Sequence, residues 1–192
     1  MMFELIGMFF VAMWAACFIS GFFHWLEDTY CLDDTPIIGS YICEPNIDHH
    51  VDPNLMVRAG TFISRNKLQW AMAASAFGLI WLAGYASLFW LMTMVIVGFA
   101  NEIHRWNHMS RNENSFIKFM KDTGLIQVQR QHSLHHVAPY KRYYCVVTSF
   151  PNAILERINF WRGLERVFLI VFGLHPKREG RRDEFKKLKK DI

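Results

Sequence analysis

Two long stretches of this chain carry no charged residue. Residues 5–23 (LIGMFFVAMWAACFISGFF) and residues 68–100 contain no Asp, Glu, Lys or Arg, and a soluble domain has few ways to bury uninterrupted runs of that length. At ~1.5 Å of rise per residue, a helix over the first run matches the ~30 Å hydrocarbon core of a bilayer. The second run is 33 residues long, roughly 50 Å as one straight helix, which is too long for a single crossing. Gly84 and Tyr85 stand near its middle, between Trp81 and Trp90, and aromatic residues beside a glycine break mark an interfacial turn. The run therefore divides into a hairpin of two helices. Each arm is short for a full crossing, which is compatible with a tilted or partly re-entrant path.

Composition agrees with a membrane protein: 52% of the 192 residues are hydrophobic and only 20% charged. Farther on, Leu155, Ile158, Trp161, Leu164, Phe168 and Val171 recur at helical spacing from Asn152 to Leu174, with Arg157, Arg162, Glu165 and Arg166 between them. Such a helix lies in the headgroup layer more readily than it crosses it. The expected fold is thus an all-α integral membrane protein with about three transmembrane helices, one plus a hairpin. A histidine-rich cap and an interfacial amphipathic helix complete it. Residues 1–174 form the membrane-embedded domain and 175–192 a basic tail.

The net charge of +4 comes from that tail, because residues 177–192 hold eight basic and four acidic side chains and leave 13 of each elsewhere. A nucleic-acid binder would spread its excess over a folded face, so nucleic acid is excluded as a partner. With three crossings, the loop from Leu26 to Lys67 and everything after Ile103 share one side. The positive-inside rule makes that side cytoplasmic, in a bacterial inner membrane or an endoplasmic reticulum. No cleavable signal is expected, since Glu4 rather than a basic residue precedes the first run. Cys17, Cys31, Cys43 and Cys145 show no CxxC spacing, and a disulfide framework is not expected. Trp25, Trp106 and Trp161 read as interfacial anchors.

Eight of the nine histidines fall into four short groups: His24, His49 with His50, His104 with His108, and His132 with His135 and His136. His104 and His108 are four apart, as are His132 and His136, and His24 and Asp28 repeat the interval. Each pair shares one helical face and can aim at a common ion. The hairpin brings all four groups to one membrane surface, whereas a single crossing in its place would put His24 and His104 on opposite sides. All-imidazole donors, with or without a carboxylate, suit iron, zinc or copper, and eight of them exceed the four that one tetrahedral zinc needs, so two metals are implied. Two irons beside an apolar membrane segment point to oxygen activation against an unactivated C–H bond of a lipid chain.

The segments FHWLEDT (Phe23–Thr29), DHHVDP (Asp48–Pro53), NEIHRWNH (Asn101–His108), QHSLHHVAP (Gln131–Pro139), YYCVVT (Tyr143–Thr148) and FWRGLE (Phe160–Glu165) together resemble the plasmanylethanolamine desaturase family, also called Kua or CarF-like lipid desaturases. The resemblance runs from about Phe22 to Gly173 and extends to the plant plastid branch that desaturates palmitate on phosphatidylglycerol. It implies a membrane-bound, non-haem di-iron enzyme that uses O2 and two externally supplied electrons to put a double bond into a lipid chain. Carried over by position, the implied iron ligands are His24, His49, His50, His104, His108, His132, His135 and His136. Asp28 is implied as a further ligand or as the orienter of a histidine. Asn101, on the same helical face as His104 and His108, would hold a metal-bound water or serve as a helix-end hydrogen-bonder, and Asp48 is assigned a supporting place behind the ligands. Pro139 and Tyr140 stand where the plasmalogen-forming branch has PH, which is closer to the plastid branch. The DHHVDP, NEIHRWNH and FWRGLE segments lean toward plasmanylethanolamine as substrate and its vinyl ether as product.

Tyr143, Tyr144 and Cys145 match the family pattern and read as packing residues, and His175 reads as a surface residue. The chain has no Gly-rich dinucleotide fingerprint and no cysteine cluster for an iron–sulfur centre, so electrons would come from a partner such as cytochrome b5 or a ferredoxin. Two other readings compete: an acyl-lipid trans-desaturase, and a non-catalytic membrane protein whose histidines bind zinc. Hydroxylation by the same metals is a third.

Overall fold

The computed structural model describes residues 2–58, 60–109 and 114–177, and among these all regular structure is helical. The expectation for the basic tail after Lys177 lies outside the described residues. Helix α1 (Met2–Tyr30) has 29 residues, about 44 Å at ~1.5 Å per residue, and so outruns a bilayer core by more than two turns. Those extra turns carry His24, Glu27 and Asp28. It is the one helix among the described residues that is long and apolar enough to cross a membrane. Ala12, Ala16, Cys17, Ser20 and Gly21 are buried along its inner face, while Phe3, Ile6, Phe10, Val11 and Trp14 remain exposed. Small residues inward and large apolar ones outward are what close helix packing inside lipid requires.

The long uncharged run is indeed two helices, α4 (Phe62–Leu82) and α5 (Leu88–His108), joined by a turn in which Gly84 takes φ +80°. Thr61 and Ser64 form a reciprocal cap at the start of α4, and Ser87 accepts the Trp90 N–H to start α5. Both helices continue past the apolar run into polar sequence at the same end. There the buried Glu102 accepts from Arg105 (2.8 Å), Trp106 (3.1 Å), Arg65 (3.4 Å) and Asn66 (3.4 Å). This cluster ties the open end of the hairpin one turn below the histidines of α5.

Between α1 and α4 the chain forms a π-helical turn (Gly39–Cys43), α2 (Glu44–Val51) and α3 (Leu55–Arg58). Contrary to the sequence expectation, Cys31 and Cys43 form a disulfide, their Cα atoms 5.5 Å apart. The chain folds straight back after α1, so two cysteines with no recognisable spacing meet, and the bridge sets the start of α2 beside the end of α1.

The second half comprises α6 (Ser115–Asp122), α7 (Gln129–His135), an irregular segment over residues 136–148, α8 (Ser149–Arg157) and α9 (Phe160–Phe172). The single amphipathic helix expected from Asn152 to Leu174 is broken, because Asn159 adopts a left-handed conformation at φ 52°, which asparagine tolerates better than most residues. Trp25 and Trp161 are not interfacial anchors: they are 0% and 2% exposed and stack on each other at 5.9 Å. With Tyr144, Cys145, Val147, Ile103 and Leu155 they form the main core, which joins α1, α5, α8 and α9 beneath the histidines.

Candidate metal centre

All eight grouped histidines converge. His24 comes from the last turns of α1, His49 and His50 from α2, His104 and His108 from the end of α5, and His132, His135 and His136 from α7 and its C-cap. Their side chains sort into two sets of four donors. One comprises His49, His104, His108 and His136, the other His24, Asp28, His50 and His135, and within each set the donor atoms lie within 4.8 Å of one another. His132 adjoins the first set, with Nε2 2.8 Å from His108 Nε2 and 3.2 Å from His136 Nε2. The consecutive pairs His49–His50 and His135–His136 each give one residue to each set, because neighbours on a helix point ~100° apart.

Burial decides the protonation state. Desolvation holds the His49, His132, His135 and His136 imidazoles well below the ordinary histidine range; the surrounding histidines push the same way, and Asp28 opposes them only in part at His49 and His135. Neutral rings keep a lone pair for a metal. Two backbone carbonyls orient the rings: His24 Nδ1 lies 3.0 Å from the Tyr144 oxygen and His135 Nδ1 lies 2.8 Å from the Arg142 oxygen. A carbonyl only accepts, so each Nδ1 carries the hydrogen and each Nε2 lone pair is left for the centre. The two Nε2 atoms stand 3.2 Å apart, too close for two bare lone pairs unless something positive sits beside them.

Asp28 is the hub of the second set. Its Oδ1 accepts from Asn46 Nδ2 at 2.8 Å and lies 3.0 Å from His50 Nε2. Its Oδ2 lies 3.3 Å from His135 Nε2 and 3.7 Å from His24 Nε2, yet has no hydrogen-bond partner. His49 Nε2 is likewise buried and unpartnered. Orphaned polar atoms in a dry interior are costly, and here they sit among convergent neutral imidazoles. One cation in each set would satisfy them, so the residues present fit two metal ions.

A second ring of amides supports the cage, and it was not legible in the sequence. Asn107 lies between His104 and His108 and donates to Gln127 Oε1 (2.9 Å) and the Val146 carbonyl (3.0 Å). Gln127 donates to the Cys145 carbonyl (2.9 Å), and Asn152 donates to the same carbonyl (2.7 Å) and to Gln131 Oε1 (2.8 Å). These side chains tie α5, α7 and α8 to the segment that orients His24 and His135. The Tyr143–Cys145 stretch therefore does more than pack.

The remaining sequence candidates lie elsewhere. Asn101 donates to the Arg65 carbonyl at 3.0 Å, the helix-end role, and so joins α5 to α4. Asp48 is exposed on α2, and His175 is exposed beyond α9. Trp106 is half-buried on Glu102. Tyr140 packs its ring 4.7 Å from that of His50, and Asn46, on the same short helix as His49 and His50, had no signal in the sequence.

The lipid desaturase domain model matches residues 13–179. The chain is 30% identical over 178 residues to a plasmanylethanolamine desaturase of Myxococcus xanthus, covering 86% of this chain and 60% of that protein. It is 32% identical over 181 residues to plasmanylethanolamine desaturase 1 of Mus musculus, covering 85% and 65%. A probable fatty acid desaturase of Acanthamoeba polyphaga mimivirus is 32% identical over 168 residues, with 83% and 80% covered. The chain thus spans under two thirds of the length of the first two. No solved structure matches it.

Proposed function

The chain belongs to the lipid desaturase family, and on that premise we propose that it is a membrane-bound di-iron desaturase acting on a chain carried by a phospholipid, converting plasmanylethanolamine to its vinyl ether. The observation that carries this reading is the pair of adjoining four-donor sets, built from residues of separate helices and sharing the His49–His50 and His135–His136 doublets. Two irons there would supply an oxidant that removes two hydrogens from the lipid, while O2, two electrons and two protons become two waters. The first set and the neighbouring His132 would hold one ion and the second set the other. The Tyr144 and Arg142 carbonyls fix the tautomers of His24 and His135. Asn46 fixes Asp28. The stacked Trp25 and Trp161, with Tyr144 edge-on to Trp161, would exclude water from the membrane side of the cage. Tyr140 beside His50 supports the acyl-lipid trans-desaturase as the second reading, since the plasmalogen-forming pattern has a histidine there.

The embedded unit is proposed as residues 1–174, with α4 and α5 entering the bilayer as a hairpin and 175–192 as a tail. Every Lys and Arg lies at Arg58 or beyond and none lies between Leu68 and His104. In that topology all 21 fall on the histidine side, which makes that side cytoplasmic. Electrons would arrive there from a cytochrome b5 or ferredoxin docking on the basic surface.

Metal analysis and lipid product analysis together test the reading. Protein purified without chelators should hold close to two irons per chain and form an O2-dependent unsaturated lipid. His135→Ala or His108→Ala should lose both iron and product, and His175→Ala neither. One zinc in place of iron, persisting after growth in iron-rich medium, would overturn it.

A further inference from the structure

Outside the cage, a cleft of about 180 Å3 opens at the corner between α8 and α9, lined by Lys141, Arg142, Glu156, Trp161, Arg162 and Leu155 among others. Pockets for drug-sized ligands run to ~300–1,000 Å3, so this one suits a small group rather than a lipid chain. Three cationic side chains line it; Glu165 pairs with Arg162, which leaves Lys141 and Arg142 against the carboxylate of Glu156 and a net positive corner. That carboxylate already accepts the Tyr143 N–H at 2.9 Å. Arg162 is held in place, donating to Glu165 at 2.7 Å and to the Tyr144 hydroxyl at 3.2 Å. Trp161 is buried, and its indole N–H has no hydrogen-bond partner. Guanidinium groups suit an anion such as a phosphate better than a neutral headgroup.

Position gives the cleft its meaning. Ile154 and Ile158 on α8 and Ile170, Val171 and Phe172 on α9 are exposed apolar residues, so the corner sits where hydrocarbon gives way to headgroups. The cleft also touches the cage through one layer of protein. The Tyr144 ring lies 5.2 Å from Trp161 and 5.4 Å from His135, and the Arg142 carbonyl receives His135 Nδ1. We propose that this cleft binds the phosphodiester of the substrate phospholipid and so sets where along its chain the cage acts. The proposal rests on the desaturase reading for its purpose but not for its binding test.

The test uses the full chain in mixed micelles, with lipid retention read by native mass spectrometry. Phosphatidylethanolamine and diacylglycerol of the same chains are compared, with inorganic phosphate as competitor. The parent should prefer the phosphate-bearing lipid by ~10–100-fold, the worth of one or two charge-assisted hydrogen bonds. Lys141→Gln with Arg142→Gln should abolish that preference, and iron per chain is measured alongside because the Arg142 carbonyl also orients His135. In turnover the same change should raise KM. Should the double variant fail to fold, Arg142→Gln alone, at an exposed position, reads the same preference. Displacement of the lipid by millimolar phosphate supports a shared phosphate site. Phosphate binding without any preference for the phospholipid would reassign the cleft to the free anion and overturn the substrate role. Equal retention of both lipids by the parent, or an unchanged preference in the variants, would overturn the proposal outright. Protein that binds phosphatidylethanolamine through the cleft yet carries no iron would refute the desaturase reading and leave the cleft standing.

Discussion

His24 gives its Nδ1 hydrogen to the carbonyl of Tyr144, 3.0 Å away and 120 residues later in the chain. That bond joins the end of α1 to the segment that also carries the Arg142 carbonyl. It exists only because the two backbones approach closely at Gly21, where a Cβ would fall 2.6 Å from Cys145 Sγ and 3.1 Å from the Cys145 Cα and N atoms.

Gly21→Ala should therefore push the Tyr144–Cys145 backbone away from α1. Overpacking of this kind costs ~1–3 kcal/mol, and the displaced carbonyl would release His24. A lower thermal midpoint together with several-fold less bound iron is the expected result. A variant with normal iron would show that the His24–Tyr144 bond does not matter to the centre.

Asn46 is the amide donor on Asp28 Oδ1. Asn46→Leu should leave the fold intact while freeing the carboxylate to turn, and iron affinity should fall ~10–100-fold, as it does when groups supporting metal ligands are lost. Asn46→Gln should recover part of it. Competition with a graded series of chelators measures both.

The metal-free protein should lose stability as pH falls. His49, His132, His135 and His136 have folded-state values lowered by burial, so below about 6.5 the unfolded chain takes up protons that the folded chain does not. Above that pH both states are neutral at these sites and stability is flat. Thermal unfolding between pH 8 and pH 5 should show a steep decline over the acidic part. A decline confined to pH below 4 would mean that the cage opens and hydrates without metal.

Cys31 and Cys43 report on orientation. Their side chains meet on the histidine side, where a reducing cytoplasm would keep them as thiols. If that side is cytoplasmic, both should react with a thiol reagent in freshly opened cells and bridge only on oxidation after purification. A bridge already present in intact cells would place the cage on the opposite face of the membrane.

The elements legible in the sequence were those with a strong local signal. The charge-free runs gave α1 and the hairpin, down to the turn at Gly84. The i, i+4 intervals gave the shared histidine faces at the ends of α5 and α7. What escaped was contact between segments distant in the chain. Nothing near Asn46 announces that it reaches Asp28, and the carbonyls serving His24 and His135 belong to residues whose side chains play other parts. Asn107, Gln127 and Asn152 look like surface amides until the fold buries them. The break at Asn159 interrupts a perfect amphipathic period, because one left-handed residue ends a helix without altering its hydrophobic pattern.

The doublets His49–His50 and His135–His136 each straddle the two donor sets, so in the proposed centre a single peptide unit would separate a donor to one ion from a donor to the other. A first ion bound there would freeze the backbone torsions that also aim the neighbouring ring. The ordering cost of the second position is then already met. Iron added in substoichiometric amounts should yield a mixture of empty and doubly filled chains, with few holding just one.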